Sequence, residues 1–136
     1  MVGQRQRQVG IAAMTVLLVM VMTSLVSRMA QARPQHTIIV GDEDGWDMIN
    51  PMYTWTEGKT FYAGDILVFN YDYQRSNVYV VNQTAYETCI PNEGATLYES
   101  GHDKIQLVFG DNYFIGAYYP EDCAAGLKMA VNALAP

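Results

Sequence analysis

The chain has 136 residues, half of them hydrophobic, and its 14 acidic residues outnumber the 8 basic ones to give a net charge of −6. This length suits one domain with a single hydrophobic core. Nucleic-acid phosphates and anionic lipids both select surfaces rich in lysine and arginine. The acidic balance therefore excludes nucleic acid as a partner and argues against binding to an anionic membrane surface.

The first 32 residues have the pattern of a secretory signal peptide. Arg5 and Arg7 form a basic start, an apolar run covers residues 11–22, and Ala30-Gln31-Ala32 offers small residues at a cleavage site. The alternative is a transmembrane anchor, because the apolar run extended to Val26 approaches the roughly 20 residues that span a bilayer. We predict a cleaved leader and keep the anchor as the rival interpretation.

Cleavage after Ala32 leaves residues 33–136 as one exported domain of 104 residues. Every acidic residue lies in that domain, which keeps only five basic residues and carries a net charge of −9. We expect a secreted protein that acts as a monomer and has no membrane anchor of its own once the leader is removed.

After the leader, short apolar runs alternate with turn residues, which predicts an all-β sandwich or barrel. Within the run at 65–71, Leu67, Phe69 and Tyr71 share one face. Gly110-Asp111-Asn112 predicts a turn before the run at 113–115. The predicted strands lie at 37–40, 65–71, 77–81, 104–108, 113–115 and 127–131.

Two short helices are predicted between the strands. Asn82 can cap a helix over residues 83–88, because an asparagine side chain accepts a hydrogen bond from the first free backbone N–H groups. A further helical turn is expected after Pro51, through Tyr53 and Trp55.

The two cysteines, Cys89 and Cys123, both lie in the exported part. In an oxidising compartment an even pair indicates a disulfide, with two free thiols as the alternative. Closing a loop of this size stabilises the folded state by about 3–4 kcal/mol in the chain-entropy description.

A series of motifs in one order resembles the phytocyanins, and in particular their plantacyanin, or basic blue, branch. The resemblance covers nearly all of residues 37–133. The motifs are Val40-Gly41-Asp42 with Gly45-Trp46, Gly58-Lys59-Thr60-Phe61, Gly64-Asp65 with Leu67-Val68-Phe69-Asn70-Tyr71, Tyr86-Glu87-Thr88-Cys89, Tyr98-Glu99-Ser100-Gly101, Asn112-Tyr113-Phe114-Ile115 and Cys123-x-x-Gly126-Leu127-Lys128.

This resemblance implies a cupredoxin fold, a Greek-key β-sandwich with a metal site at one end. Copper-bearing phytocyanins are electron carriers whose metal is held by two imidazoles, one thiolate and a weak axial ligand. The resemblance also implies a plant extracellular or apoplastic location, with association to the outer face of the plasma membrane as a further option.

The copper ligands are missing at every position to which the resemblance assigns them. Ser76 stands at the first histidine position, and Asp122 stands at the second, directly before Cys123. Leu127 occupies the axial position. Gly116 or Ala117 stands at the thiolate position, where a loop one residue longer leaves the register open. We therefore expect no type 1 copper and no other cofactor, as in early-nodulin-like members.

The two histidines, His36 and His102, match neither ligand motif and are interpreted as exposed polar side chains. The acidic run at 42–47 lacks the ligand spacing of an EF-hand loop, so calcium is not expected. Nucleophilic catalysis needs an activated nucleophile beside an oriented base, and no such group is evident. We predict that the protein is not an enzyme.

Two features remain that bear on recognition. Asn82-Gln83-Thr84 is a sequon for N-glycosylation. The alternative is that the Asn82 side chain caps a helix and its amide is unavailable for glycosylation. Tyr118 and Tyr119 stand in the loop that encloses copper in relatives. With Leu127 they either fill the vacated pocket or face outward as a recognition patch with an acidic rim.

The favoured hypothesis is a copper-free extracellular module that binds an extracellular protein or a cell-wall glycan. The rivals are an electron carrier, as the family implies, and a purely structural wall glycoprotein.

Overall fold

The computed structural model describes residues 2–30 and 33–136. One compact unit contains helix α1 (Val2–Ala30), and the other covers Gln35–Pro136. Within the described residues, no helical stretch combines the length and the hydropathy that crossing a membrane takes. Residues 31 and 32 of the expected cleavage site lie outside the described part, so the leader and its cleavage stay predictions.

The second unit contains eight strands, two short α-helices and one 3₁₀ turn at Asp42–Asp44. The helices are α2 (Met52–Trp55) and α3 (Gln83–Thr88). The strands are β1 (Thr37–Ile39), β2 (Phe61–Tyr62), β3 (Ile66–Asn70), β4 (Val78–Val81), β5 (Thr96–Tyr98), β6 (His102–Gln106), β7 (Gly110–Ile115) and β8 (Lys128–Leu134).

These strands form two sheets, one with the order β1-β3-β6 and the other with the order β2-β8-β7-β4-β5. The pairs β1–β3 and β2–β8 are parallel, and all other pairs are antiparallel. Parallel neighbours far apart in sequence require crossover connections between the layers, as in a Greek key. The predicted all-β sandwich is confirmed.

Strand β3 is buried on both faces rather than one. Val68 is as inaccessible as its neighbours Leu67 and Phe69. The strand lies in the middle of the three-stranded sheet, between β1 and β6. Residues on both faces are therefore buried, and the alternation of buried and exposed side chains expected from the sequence is lost.

The turn predicted at Gly110-Asp111-Asn112 is wrong, because these residues already belong to β7. The Asn112 side chain instead stabilises the preceding link between β6 and β7. Its amide donates to the carbonyls of Val108 (2.8 Å) and Gly110 (3.0 Å), and its Oδ1 accepts from the Val108 N–H (3.0 Å). Strands β2 and β5 were not predicted, since two or three residues carry too little periodicity.

The core is built around three aromatic rings in the space between the sheets. Phe69 packs edge-on against Trp46 at 5.2 Å between centroids and lies 5.1 Å from Phe114. All three side chains are buried. Met129 and Val131 on the inward face of the last strand, with Leu127 just before it, are buried on one side as predicted.

Two glycines permit the tight turn that brings Trp46 into this core. Gly41 and Gly45 have φ values of 74° and 71°. A Cβ on Gly45 would lie 2.5 Å from the carbonyl oxygen of Asn70. Only glycine allows this approach, which lets the Trp46 N–H donate to that same carbonyl at 2.9 Å.

Candidate functional site

The sheet topology gathers the residues predicted to stand at ligand positions at one end of the sandwich. Ser76 comes just before β4, Gly116 directly after β7, and Leu127 directly before β8. Because β7 is antiparallel to both neighbours, its end meets the starts of β4 and β8. Asp122 lies in the loop between β7 and β8, beside Cys123.

Gly116 and Leu127 face each other across the end of the β7–β8 pair. The Gly116 N–H donates to the Leu127 carbonyl at 2.8 Å, which continues the strand register past Ile115. A Cβ built on Gly116 would lie 2.2 Å from Leu127 Cδ2. The leucine side chain therefore occupies the space that any side chain at position 116 would need.

Asn77 connects the start of β4 to the loop after β7. Its buried Oδ1 accepts from the Ala117 N–H at 2.8 Å, and its backbone carbonyl accepts from the Trp46 indole N–H at 3.0 Å. Pairing through Gly116 and this bond to Ala117 hold the backbone at both candidates for the thiolate position, and the register between them stays open. The sequence offered a signal for Asn77, since it directly follows the vacated histidine position.

Three of the vacated positions, Ser76, Asp122 and Leu127, line a solvent-open cleft of about 450 Å³. Gly116 and Ala117 are not among its lining residues. Tyr119, a recognition candidate from the sequence, lines the cleft as well. Sequence reasoning missed the rest of the wall, because loops distant along the chain contribute it. Those residues are Trp46, Asp47, Met48, Tyr71, Asp72 and Arg75.

The polar groups in the cleft differ in the hydrogen bonds and ion pairs that they make. The Ser76 Oγ is buried and has no hydrogen-bond partner among the described residues. The buried Asp122 accepts at Oδ2 from the Tyr119 N–H, at 3.0 Å. Arg75 Nε lies 3.8 Å from Asp72 Oδ2, and both side chains are exposed. A pair so exposed contributes little to stability.

Tyr71 is held in the cleft wall by a buried carboxylate. Its hydroxyl donates to Asp103 and lies 3.0 Å from the Tyr98 carbonyl, and Ser100 donates to the other Asp103 oxygen at 2.6 Å. Burial raises the pKa of Tyr71 above its ordinary value of 10.0, and the bond to Asp103 raises this pKa further. The tyrosine is therefore a neutral donor across the physiological range.

Tyr118 and Tyr119 pack edge to face, with ring centroids 4.9 Å apart. They are 45% and 46% exposed, so neither ring fills the interior, and the residue that fills the space beside Gly116 is Leu127. The sequence offered two alternatives, a filled pocket or outward-facing tyrosines. Leu127 fills the space beside Gly116, whereas Tyr118 and Tyr119 lie at the surface, and Tyr119 lines the cleft.

The Cys89–Cys123 disulfide is confirmed and fixes the other side of this loop. It joins the residue that follows α3 to the residue that follows Asp122. The α3 helix itself begins as predicted, with Asn82 Oδ1 accepting from the Ala85 N–H at 2.9 Å. The cleft loop is thereby tied covalently to the end of α3 and, through Asn77, to the start of β4.

The side chains at this end do not form the donor set of a type 1 copper site. Both cysteines are in the disulfide, so no thiolate is present. His36 lies beside Asp65, and His102 contacts Asn70; neither lines the cleft. Within residues 2–30 and 33–136, no three His, Cys, Asp or Glu side chains are grouped to hold a metal ion. In the acidic run, Asp42 and Asp47 instead accept protein hydrogen bonds, from the Trp55 indole and the Met48 N–H.

The two-sheet sandwich, with a site formed by the loop between its last two strands, defines the class of small blue copper proteins and their relatives. Residues 46–127 match the family described as a plastocyanin-like domain. The chain belongs to the phytocyanin family of the cupredoxin superfamily, as the sequence motifs predicted. This is a family of electron carriers and related proteins, not an enzyme family.

Two proteins illustrate where the chain stands in this family. It is 58% identical to Early nodulin-like protein 22 of Arabidopsis thaliana, over 98% of this chain and 99% of that protein. It is 47% identical to the Basic blue protein of Cucumis sativus, over 71% and 97% of the two chains. The solved cucumber basic protein, a blue copper protein, superposes with a TM-score of 0.68 at 46% identity, over 72% of this chain and 99% of that one.

Proposed function

We propose that this chain is a copper-free, extracellular phytocyanin-like module that recognises a partner through the former copper end. The observation that carries the proposal is the packing of Leu127 into the space beside Gly116. At one candidate for the thiolate position the space for a side chain is thus filled by an apolar group, whereas Ser76, Asp122 and Leu127 line an open cleft. This end also presents the half-exposed Tyr119 at the cleft wall, with the half-exposed Tyr118 packed against it.

The main rival is electron transfer, which needs a bound redox centre. Serine, aspartate and leucine do not replace imidazole and thiolate as ligands for Cu(I). We expect the purified secreted protein to contain no stoichiometric copper and to stay colourless after Cu(II) is added. Metal analysis and an absorption spectrum test this. A strong visible absorption band at one copper per chain would overturn the proposal.

A purely structural wall protein is the second rival, and aromatic dependence separates it from recognition. Exposed aromatic rings grip partners well because they give large contact area at low entropic cost. We expect crosslinking at the cleft end to capture a defined partner from wall or membrane extracts. Tyr118→Ala and Tyr119→Ala should abolish this capture.

The matched control for those variants is Phe109→Ala. Phe109 is an exposed aromatic residue in the turn before β7, so it lies at the opposite end of that strand from Gly116. Its removal should leave capture unchanged. If capture is indifferent to Tyr118 and Tyr119, the structural role is the better description.

Export is supported by a sequon whose geometry suits modification. Asn82 is exposed, and its Oδ1 caps α3, while its Nδ2, the atom that carries an N-glycan, makes no hydrogen bond within the described residues. We expect enzymatic deglycosylation to lower the mass of the secreted protein. Thr84→Ala should remove this mass difference and keep the cap, so a shift that persists in Thr84→Ala would contradict modification at Asn82.

A further inference from the structure

The carboxylate of Asp122 is the least accessible charged group in the cleft wall, with 3% of the residue exposed. Among the described residues its hydrogen bond comes from one backbone N–H, that of Tyr119. No lysine, arginine or histidine in that part of the chain approaches it within ion-pairing distance. The carboxylate therefore has one backbone donor and no basic side chain near it, and a cation in the cleft could pair with it.

The remaining charges of the cleft have the same sign. Asp47 and Asp72 also line it, and Arg75 is the one basic residue in the wall. Arg75 lies on the exposed rim beside Asp72, with 81% of its side chain accessible. The wall therefore holds three carboxylates against one guanidinium, inside a domain whose net charge is already −9 after the expected cleavage.

The cleft also offers a neutral acceptor and an aromatic surface. Ser76 lines the cleft with Asp122, and its buried Oγ lacks a partner among the described residues. Tyr119 contributes a half-exposed ring that is supported edge-on by Tyr118. Aromatic rings attract cations over their faces and also cover the methylene stem of a basic side chain.

Resting on the proposed function, we infer that the cleft binds a lysine or arginine side chain presented by a basic segment of an extracellular protein partner. Asp122 neutralises the cationic head, Ser76 Oγ accepts one of its hydrogen bonds, and Tyr119 covers its stem. A neutral glycan would stack on the tyrosine equally well. It would leave the buried carboxylate without a counter-charge, so the charges favour the basic protein segment.

The test is fluorescence anisotropy of labelled hexalysine with the purified, metal-free secreted protein at physiological salt. We expect saturable binding that Asp122→Asn weakens at least about tenfold, which is the effect of removing one desolvated charge pair. Asparagine keeps an oxygen that can accept the Tyr119 N–H, so the loop should fold. A thermal melt of the variant checks that it does.

Asp111→Asn is the matched control, since it removes the same charge from an exposed residue at the opposite end of β7. It should change the affinity less than about twofold, as expected for a screened distant charge. Equal losses in both variants would show binding to the general acidic surface and overturn the inference. So would an absence of hexalysine binding, or binding of cellohexaose that is insensitive to Asp122→Asn.

Failure of this inference and failure of the proposed function give different results. Partner capture that depends on Tyr118 and Tyr119 but survives Asp122→Asn would overturn the basic side chain and leave recognition intact. Hexalysine binding that depends on Asp122, together with capture indifferent to both tyrosines, would overturn the aromatic recognition surface and leave the cation site.

Discussion

The aromatic interior and the cleft end differ in how completely their groups are satisfied. In the interior, Phe69 is enclosed by two other rings, and the Trp46 indole N–H has its acceptor in Asn77. At the cleft end, Asp122 is buried with a single backbone donor, and Ser76 Oγ has none among the described residues. The sandwich thus has one region whose described polar groups are paired and another that retains a buried hydroxyl without a partner. Unmet groups of this kind are typical of sites that bind something.

The largest difference between the two regions should appear in Phe69→Ala. Removing this ring opens a cavity that its rigid neighbours cannot close, at a cost of about 3–5 kcal/mol in the free energy of unfolding. Phe109→Ala, at an exposed residue, should cost less than about 0.5 kcal/mol. Urea denaturation measures both, and similar losses would show that the aromatic cluster is not the main stabilising region.

The disulfide lies at the cleft end, and removing it tests how much this covalent bond contributes to the free energy of unfolding. Cys89→Ala with Cys123→Ala should lower the free energy of unfolding by about 3–4 kcal/mol, because the unfolded chain regains the entropy of a 34-residue separation. Denaturation of the double variant and its secretion yield are the measurements. Unchanged stability, or two reactive thiols in the native protein, would contradict the bridge.

The contact between Gly116 and Leu127 can be broken from either side. Gly116→Ala places a Cβ against Leu127 and should cost about 1–3 kcal/mol. Leu127→Ala leaves a cavity and is also destabilising. In the double variant the new methyl group enters the space left by the leucine, so the loss should be smaller than the sum by about 0.5–3 kcal/mol. Additive losses in denaturation experiments would show that the two positions are not coupled.

The two regions also differ in what the sequence could reveal. The core strands, the α3 cap and the disulfide follow from local periodicity, a capping residue and a cysteine count, and all three were predicted. The family motifs located Ser76, Asp122 and Leu127. Their packing was not predictable, because it depends on the register of β7 against β8 and on which side chain fills a gap.

The composition of the cleft wall was even less predictable from the sequence than the packing of these residues. Tyr71 and Asp72 follow β3, Trp46 and Asp47 follow the 3₁₀ turn, and Tyr119 lies between β7 and β8. Nothing in their local sequence indicates that they meet. Only the crossover between the sheets brings them together, so a charged cleft was visible from the sequence merely as an acidic composition.

The smallest expected effect concerns Tyr71, which links the cleft to the buried Asp103. Its pKa is raised, chiefly by burial, above the ordinary value of 10.0 that the unfolded chain keeps. Above pH 10 the unfolded state therefore releases a proton that the folded state retains, and stability falls as the pH rises. Below that pH the contribution is complete and constant.

Tyr71→Phe should remove this part of the alkaline loss. The variant is expected to be less stable than the wild type at neutral pH, because Asp103 loses a buried donor. Its stability should nevertheless decline less steeply above pH 10, while the two curves run parallel between about pH 7 and pH 9, where the tyrosine is protonated in both states. Midpoints of urea denaturation, measured for both proteins across this pH range, test the prediction. Parallel curves above pH 10 would show that the phenol of Tyr71 titrates alike in the folded and unfolded chain.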